Sequence, residues 1–252
     1  MEIKYLEWNL NARGNKNYTI PSFVPEYMIQ KNVDIMVLLE FRCGDNWNDF
    51  KCILEKDYDL YLSPYISGNY NQVCIALRRS RKFQVEKIIV EDACDNNIPE
   101  FLQIDVNINE KQINIIGIRI KTEGNSKENQ YNFLKTHFKS LNTVFCLGDF
   151  NCVYNKLSEF MDDEIYVYGP RITNDYYSFV FENGNCQGLD WVITKGISSV
   201  YNPYDDKTKT PYATYDWEYI SEDNGYEKKT KVDYLNIEGL PDHAILTGAI
   251  DI

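Results

Sequence analysis

The stretch Val144-Phe145-Cys146-Leu147-Gly148-Asp149-Phe150-Asn151 constrains this chain more than any other. Its first four residues are apolar, with β-branched and aromatic members, which reads as a buried strand. Gly148 has no Cβ and permits a sharp exit. Asp149 and Asn151 follow at i and i+2, so an extended chain would send both side chains out on the same side. A carboxylate and a carboxamide would then meet at the open end of a sheet, a good place to hold an attacking water or a phosphate oxygen. The competing reading is a strand that runs into an Asp/Asn turn, since both residue types favour turns.

The same grammar recurs along the chain. Ile3 to Asn9 alternates loosely and runs into a polar loop, where Asn9 and Asn11 form a second i, i+2 pair. Asp34 to Glu40 is apolar for five residues and ends in a carboxylate, which must reach solvent, a partner or a metal. Further strands are expected at Val73–Leu77, Val85–Val90, Phe101–Ile108, Ile113–Ile120 and Gly188–Thr194, and a closing strand at Ala244–Ile252. Asn109-Glu110-Lys111 suggests a hairpin. Short helices are expected at Val24–Lys31 and Trp47–Lys56. A long amphipathic helix is expected from Ser126 to Leu141, with Ser126 as N-cap and Tyr131, Leu134 and Phe138 on one stripe. His137, beside that stripe, reads as structural or surface rather than catalytic. Tyr166–Tyr177 and Tyr201–Lys231 are turn-rich or irregular. Strands outnumber helices and most helices are short, which favours two packed sheets flanked by helices over a parallel βαβ array.

Composition bounds the function. The 252 residues carry a net charge of −12, which disfavours tight electrostatic wrapping of DNA. A local basic patch or a bound cation would still make a phosphate welcome. The densest basic cluster, Arg78-Arg79-Ser80-Arg81-Lys82, is either a solvated strand end or a phosphate-facing rim. No run is long and apolar enough to span a membrane, and Met1 to Tyr5 lacks the pattern of a signal peptide. Seven cysteines without a Cys-x-x-Cys pair favour reduced thiols and a cytoplasmic setting. With only two histidines, a zinc site is disfavoured.

Asparagines or acids stand at five strand ends: Asn9 and Asn11, Glu40, Asp149 and Asn151, Asp190, and Asp242-His243. Convergence at one rim would crowd carboxylates that repel one another, which points to a cation as the missing partner. Oxygen-only ligands suit Mg²⁺, Mn²⁺ or Ca²⁺. A histidine next to one aspartate, with a second elsewhere, can make a polarised imidazole.

In this order, Trp8-Asn9-x-Asn11, Glu40, Gly148-Asp149-Phe150-Asn151, Leu189-Asp190-Trp191 and Pro241-Asp242-His243 resemble the motifs of the endonuclease/exonuclease/phosphatase (DNase I-like) superfamily, over essentially the whole chain. The resemblance implies one domain over residues 1–252 with a four-layered α/β sandwich, two central and mainly antiparallel sheets flanked by helices. It implies phosphoester cleavage with Mg²⁺ or Mn²⁺. Glu40 then resembles the principal metal ligand, and Asn11 stands where some members have a metal-side aspartate. Asp242 resembles the metal-proximal acid. Asn9 resembles the asparagine near the metal and phosphate. Asp149 resembles the residue that positions or deprotonates water, with Asn151 as its phosphate-binding companion. Asp190 resembles the acid that orients the catalytic His243. One position departs: many members have a phosphate-binding histidine where this chain has Arg119, which can clamp a phosphate bidentately but cannot donate a proton at ordinary pH.

The expectation is a metal-dependent nuclease that cleaves phosphodiester bonds of DNA or RNA by water attack. The alternatives are a phosphatase or phosphodiesterase for a small phosphorylated metabolite, which the −12 charge favours somewhat, and a silent binding module of the same fold.

Overall fold

The computed structural model describes the chain apart from residues 12–18, 66–70, 93, 123–125, 170–176, 182, 198, 202–212 and 227–238. In the first half the elements run β1 (Glu2–Asn9), α1 (Phe23–Gln30), β2 (Ile35–Phe41), α2 (Trp47–Leu54), β3 (Tyr58–Leu62), β4 (Gln72–Arg78), β5 (Gln84–Val90), β6 (Glu100–Ile108) and β7 (Lys111–Arg119). The second half runs α3 (Lys127–Ser140), β8 (Val144–Asp149), α4 (Tyr154–Phe160), β9 (Tyr166–Tyr168), β10 (Phe179–Val180), β11 (Cys186–Gln187), β12 (Asp190–Lys195), β13 (Ser199–Tyr201), β14 (Thr214–Asp216) and β15 (Ile245–Asp251).

The strands form two large sheets and a small β10–β11 ribbon. Sheet A has the order β13-β15-β1-β2-β4-β3, with β14 also on β15. Sheet B has the order β5-β6-β7-β8-β12-β9. Two pairs are parallel, β1 with β2 and β7 with β8. The other pairings within both sheets are antiparallel. The β6–β7 hairpin turns at Asn109 and Glu110, both at positive φ (51° and 64°), the geometry a tight two-residue turn requires.

Alternation along the central strands assigns each side chain to a layer. From sheet A, Ile3, Tyr5, Val37 and Ile75 meet Ile104, Ile115, Phe145 and Leu147 of sheet B in the central core. The opposite faces pack outward. Leu6, Trp8, Met36 and Leu38 lie against Val24 and Met28 of α1 and Phe50 and Leu54 of α2. Ile116, Ile118, Val144 and Cys146 lie against Tyr131, Leu134 and Phe138 of α3 and Leu157 of α4. Burial on both faces explains why these strands read as nearly continuous apolar runs. The result is the helix–sheet–sheet–helix order expected from the sequence.

Several expectations are adjusted. Ser126 stands at the N-cap of α3 but makes no side-chain capping bond; its Oγ accepts from Gln130 Nε2 at 3.2 Å instead. His137 is structural, as expected: its Nε2 is 2.5 Å from Gln103 Oε1 and its ring packs on Phe101 and Phe133. The basic cluster after β4 is a strand end whose arginines are paired. It lies at the end of sheet A away from the residues described below, where Arg81 pairs with Asp34, Arg79 with Asp59, and Arg78 with Asn32 and Tyr58. Much of Tyr166–Tyr177 and Tyr201–Lys231 lies outside the described residues; β9 and β14 are edge strands within them. Among the described residues no helix is long and apolar enough to cross a membrane.

Candidate active site

The expected strand ends converge at one end of the sandwich. On sheet B, strand register sets four ionisable residues in a transverse row: Glu100 opposite Arg119, Arg119 opposite Asp149, and Asp149 opposite Asp190. On sheet A the corresponding ends supply Asn9 from β1, Glu40 from β2, and Asp242 and His243 just before β15. The strand order β15-β1-β2 of sheet A faces β12-β8-β7 of sheet B, and each facing pair is bonded across the gap. His243 Nδ1 lies 2.8 Å from Asp190 Oδ2. Asn9 Nδ2 donates to Asp149 Oδ2 at 3.2 Å. Arg119 Nη2 pairs with Glu40 Oε1.

Local backbone devices aim these groups. Asn151 has φ 48°, and its backbone N–H donates to Asp149 Oδ1 at 2.8 Å. The chain therefore turns rather than staying extended, and the side chains still meet: Asn151 Nδ2 donates to Asp149 Oδ2 at 3.0 Å and to Ile120 O at 2.8 Å. The same turn recurs at the end of β1, where Asn11 has φ 48° and its N–H donates to Asn9 Oδ1 at 3.1 Å. Asparagine tolerates this left-handed conformation through its short polar side chain. Asn11 Nδ2 donates to Leu240 O at 3.3 Å. Gly148 is required by closeness: a Cβ there would lie 2.1 Å from Ile118 O.

Glu40 depends on an irregularity that the sequence did not announce. Leu39 faces the central core and Phe41 the outer one, so simple alternation would turn Glu40 outward. The β2–β4 register shifts between Leu38 and Phe41, and Glu40 takes φ 49°. This bulge swings its carboxylate inward to Arg119. A non-glycine residue at such a φ costs on the order of 1–3 kcal/mol, a cost that concentrates at functional sites.

Charge is tightly packed here. Asp149 and His243 are only 2% and 5% exposed, and Asp190 is fully buried. Burial, reinforced by the Asp190 charge, pushes the Asp149 carboxyl up to about 7 against the lowering effects of His243, Arg119 and the Asn151 N–H. Burial and the Glu40 charge raise Asp242 to about 6, while His243 works to lower it. For His243, burial alone would lower the pKa. The Asp190 carboxylate, with Asp149 and Asp242, outweighs it and raises the ring well above its ordinary value. Arg119 is held charged against its own burial by Glu40, Glu100 and Asp149. Asp149, Asp190 and His243 offer ligand-type atoms within 4.8 Å of one another. Asp242 Oδ1 lies 4.0 Å from His243 Nε2, on the ring edge opposite Asp190.

All nine sequence-derived residues lie at this end: Asn9, Asn11, Glu40, Arg119, Asp149, Asn151, Asp190, Asp242 and His243. Two acids escaped the sequence reading. Glu100 contacts Arg119 at 3.6 Å. Glu7, two residues before Asn9 on β1, is fully buried, and the electrostatics of Asp190, His243 and Asp149 act on it. The signal for Glu7 was available, since side chains two apart on a strand share a face.

No protein-family model matches the chain, and no curated protein matches its sequence. Solved structures do match. A truncated TDP2 from Caenorhabditis elegans superposes with a TM-score of 0.71 at 16% identity, covering 100% of this chain and 98% of that one. A D. rerio TDP2 complexed with single strand DNA product gives 0.66 at 11% identity, covering 100% and 99%. An endonuclease/exonuclease/phosphatase from Bacteroides vulgatus gives 0.64 at 11% identity, covering 100% and 99%. At these identities the likeness is one of fold.

Proposed function

We propose that this chain, which has the DNase I-like fold of the endonuclease/exonuclease/phosphatase superfamily, is a divalent-metal-dependent phosphoester hydrolase, and specifically a nuclease acting on DNA or RNA. The observation that carries this reading is the cross-sheet mouth, where Asp149, fixed by Asn9 and Asn151, lies beside the Asp190–His243 pair. The D. rerio TDP2 solved with single strand DNA product lends support to the nucleic-acid substrate. The acidic surface keeps a small phosphorylated metabolite as the second reading. The odd number of cysteines, seven with no Cys-x-x-Cys pair, supports a reducing, cytoplasmic setting.

Glu40, Asp242 and Asn11 are the side chains that would hold Mg²⁺ or Mn²⁺. Their oxygen donors suit a hard cation, and Glu40 and Asp242 lie close enough that the Glu40 charge raises Asp242. When bound, the ion would neutralise charge on the phosphate and leaving oxygen. Asp149, with a pKa of about 7, can orient water and accept its proton near neutral pH. Two carboxamides and one backbone N–H fix its carboxylate. His243, kept protonated by Asp190, presents Nε2–H as a donor to a phosphoryl oxygen or leaving group. Arg119 supplies charge to the non-bridging oxygens, helped by Asn9 and Asn151.

The test is a panel of DNA, RNA and bis(p-nitrophenyl) phosphate, with Mg²⁺ or Mn²⁺ and with EDTA. Hydrolysis should vanish in chelator and return with metal, and Glu40→Gln should raise the metal concentration at half-maximal rate. Full activity in EDTA overturns the reading. Binding without turnover of any substrate would favour the silent module.

A further inference from the structure

Glu7 is a buried acid that the proposed chemistry leaves unused. It lies on β1 in the same inward register as Ile3, Tyr5 and Asn9, one step below the mouth. Its strand neighbours in register are Val37 and Leu246, both apolar. It is fully buried, and neither carboxyl oxygen has a hydrogen-bond partner. An ionised carboxylate so placed would incur a large desolvation penalty with no hydrogen bond to offset it.

A third orphan atom belongs to the same neighbourhood. Asp190 Oδ2 faces His243, but Asp190 Oδ1 is buried and has no hydrogen-bond partner. Unmatched acceptors inside a packed protein are uncommon, and three in one neighbourhood call for a donor. A single proton supplies it, because one protonated carboxyl donates where two carboxylates can only accept. The groups that act electrostatically on Glu7 are Asp190 on β12, His243 before β15 and Asp149 on β8. Burial and the two aspartates favour the protonated form of Glu7, and only the histidine opposes them.

We propose that Glu7 is a positioning residue of the site, donating its carboxyl O–H to Oδ1 of Asp190 so that Oδ2 is left to fix the His243 ring. Asp190 is then held at both oxygens, and its rotamer is set from beneath by β1 as well as by the imidazole. Glu7 touches no substrate and acts only through Asp190. The inference rests on the proposed hydrolysis for its kinetic readout alone; its structural readout is independent.

The test compares Glu7→Gln and Glu7→Met with the native protein. The structural readout is the downfield proton resonance of His243 Nδ1–H in the metal-free protein, assigned with a His137→Gln background because the chain has only two histidines. The kinetic readout is hydrolysis of bis(p-nitrophenyl) phosphate with Mg²⁺. Gln keeps an N–H donor in place, so the resonance should persist and kcat should stay within about threefold. Met fills similar space without a donor, so the resonance should shift or broaden and kcat should fall by about tenfold or more with KM little changed. A native resonance and native kcat in Glu7→Met overturn the proposal. So does a Glu7→Gln variant as impaired as Glu7→Met. If Glu7→Met does not fold, Glu7→Gln alone decides, since loss of its resonance refutes a donor role. If the native protein hydrolyses nothing, the hydrolase reading fails while the resonance still tests Glu7.

Discussion

His243 Nδ1 and Asp190 Oδ2 meet at 2.8 Å across the two sheets, both buried. A carboxylate in that position fixes the proton on Nδ1 and favours the charged ring. If the two act as one unit, Asp190→Asn and His243→Ala should each lower turnover by about a hundredfold or more. The double variant should be little worse than the more damaged single one. Steady-state kinetics on variants shown folded by circular dichroism check this, and full additivity would separate the two roles.

Arg119 touches three acids: Glu40, Glu100 at 3.6 Å and Asp149 at 3.9 Å. Removing it leaves buried carboxylates without their counter-charge, so Arg119→Ala should destabilise the metal-free protein by about 3–5 kcal/mol. It should also lower turnover strongly. Arg119→Lys should restore only part of both, since lysine keeps the charge but loses the planar fork. Denaturant titration and kinetics on the two variants measure these separately.

Stability of the metal-free protein should fall as pH rises. Asp149 and Asp242 move from an ordinary 3.8 to about 7 and about 6 on folding, and His243 moves upward from 6.5. In each case the folded state holds a proton that the unfolded chain has released, so the contribution is full below the unfolded value and lost as pH passes the folded one. The exposed Asp162, lowered by Lys135 and Lys139, acts below this window. Thermal unfolding in EDTA should therefore show Tm declining between about pH 5 and pH 8, with Mg²⁺ offsetting the decline at the alkaline end. A Tm that climbs over the same interval would contradict the raised values.

Gly148→Ala tests the strand exit. A methyl group there meets Ile118 O at 2.1 Å and Ile118 C at 3.0 Å, both backbone atoms of the neighbouring β7. Overpacking against backbone should cost about 1–3 kcal/mol. Because Asp149 is the next residue, activity should fall more than the loss of stability alone accounts for.

What was legible in the sequence follows from how each residue is placed. Asp149, Asp190 and Glu40 flank apolar runs, and a charge at the end of a buried strand must meet solvent, a counter-charge or a cation. The layers were legible because strands buried on both faces leave long apolar stretches. The bulge at Glu40 was not, since nothing in Leu38-Leu39-Glu40-Phe41 marks a change of register. At Asn11 and Asn151 residue type permits both a turn and an extended exit; the turn prevails and still joins the two side chains of each pair. Glu7 was missed because it stands within a strand rather than at its end, although its spacing from Asn9 places it on the same face. The pairing of Arg119 with Glu40 was beyond reach, because it joins strands of different sheets.

The bonds that cross between the sheets also govern when the site can exist during folding. Asp190 and His243 are 53 positions apart in the chain, and Asn9 and Asp149 are 140 apart. Such distant closures carry a large loop-closure entropy and should form after the local hairpins such as β6–β7. The strand β15 lies inside sheet A between β1 and β13, so the sheet cannot be completed until residues 245–251 are in place. A chain in which β15 is not yet seated should therefore lack a fixed histidine pairing. Hydrolytic activity and the finished native state should appear together in refolding, with no active intermediate preceding it.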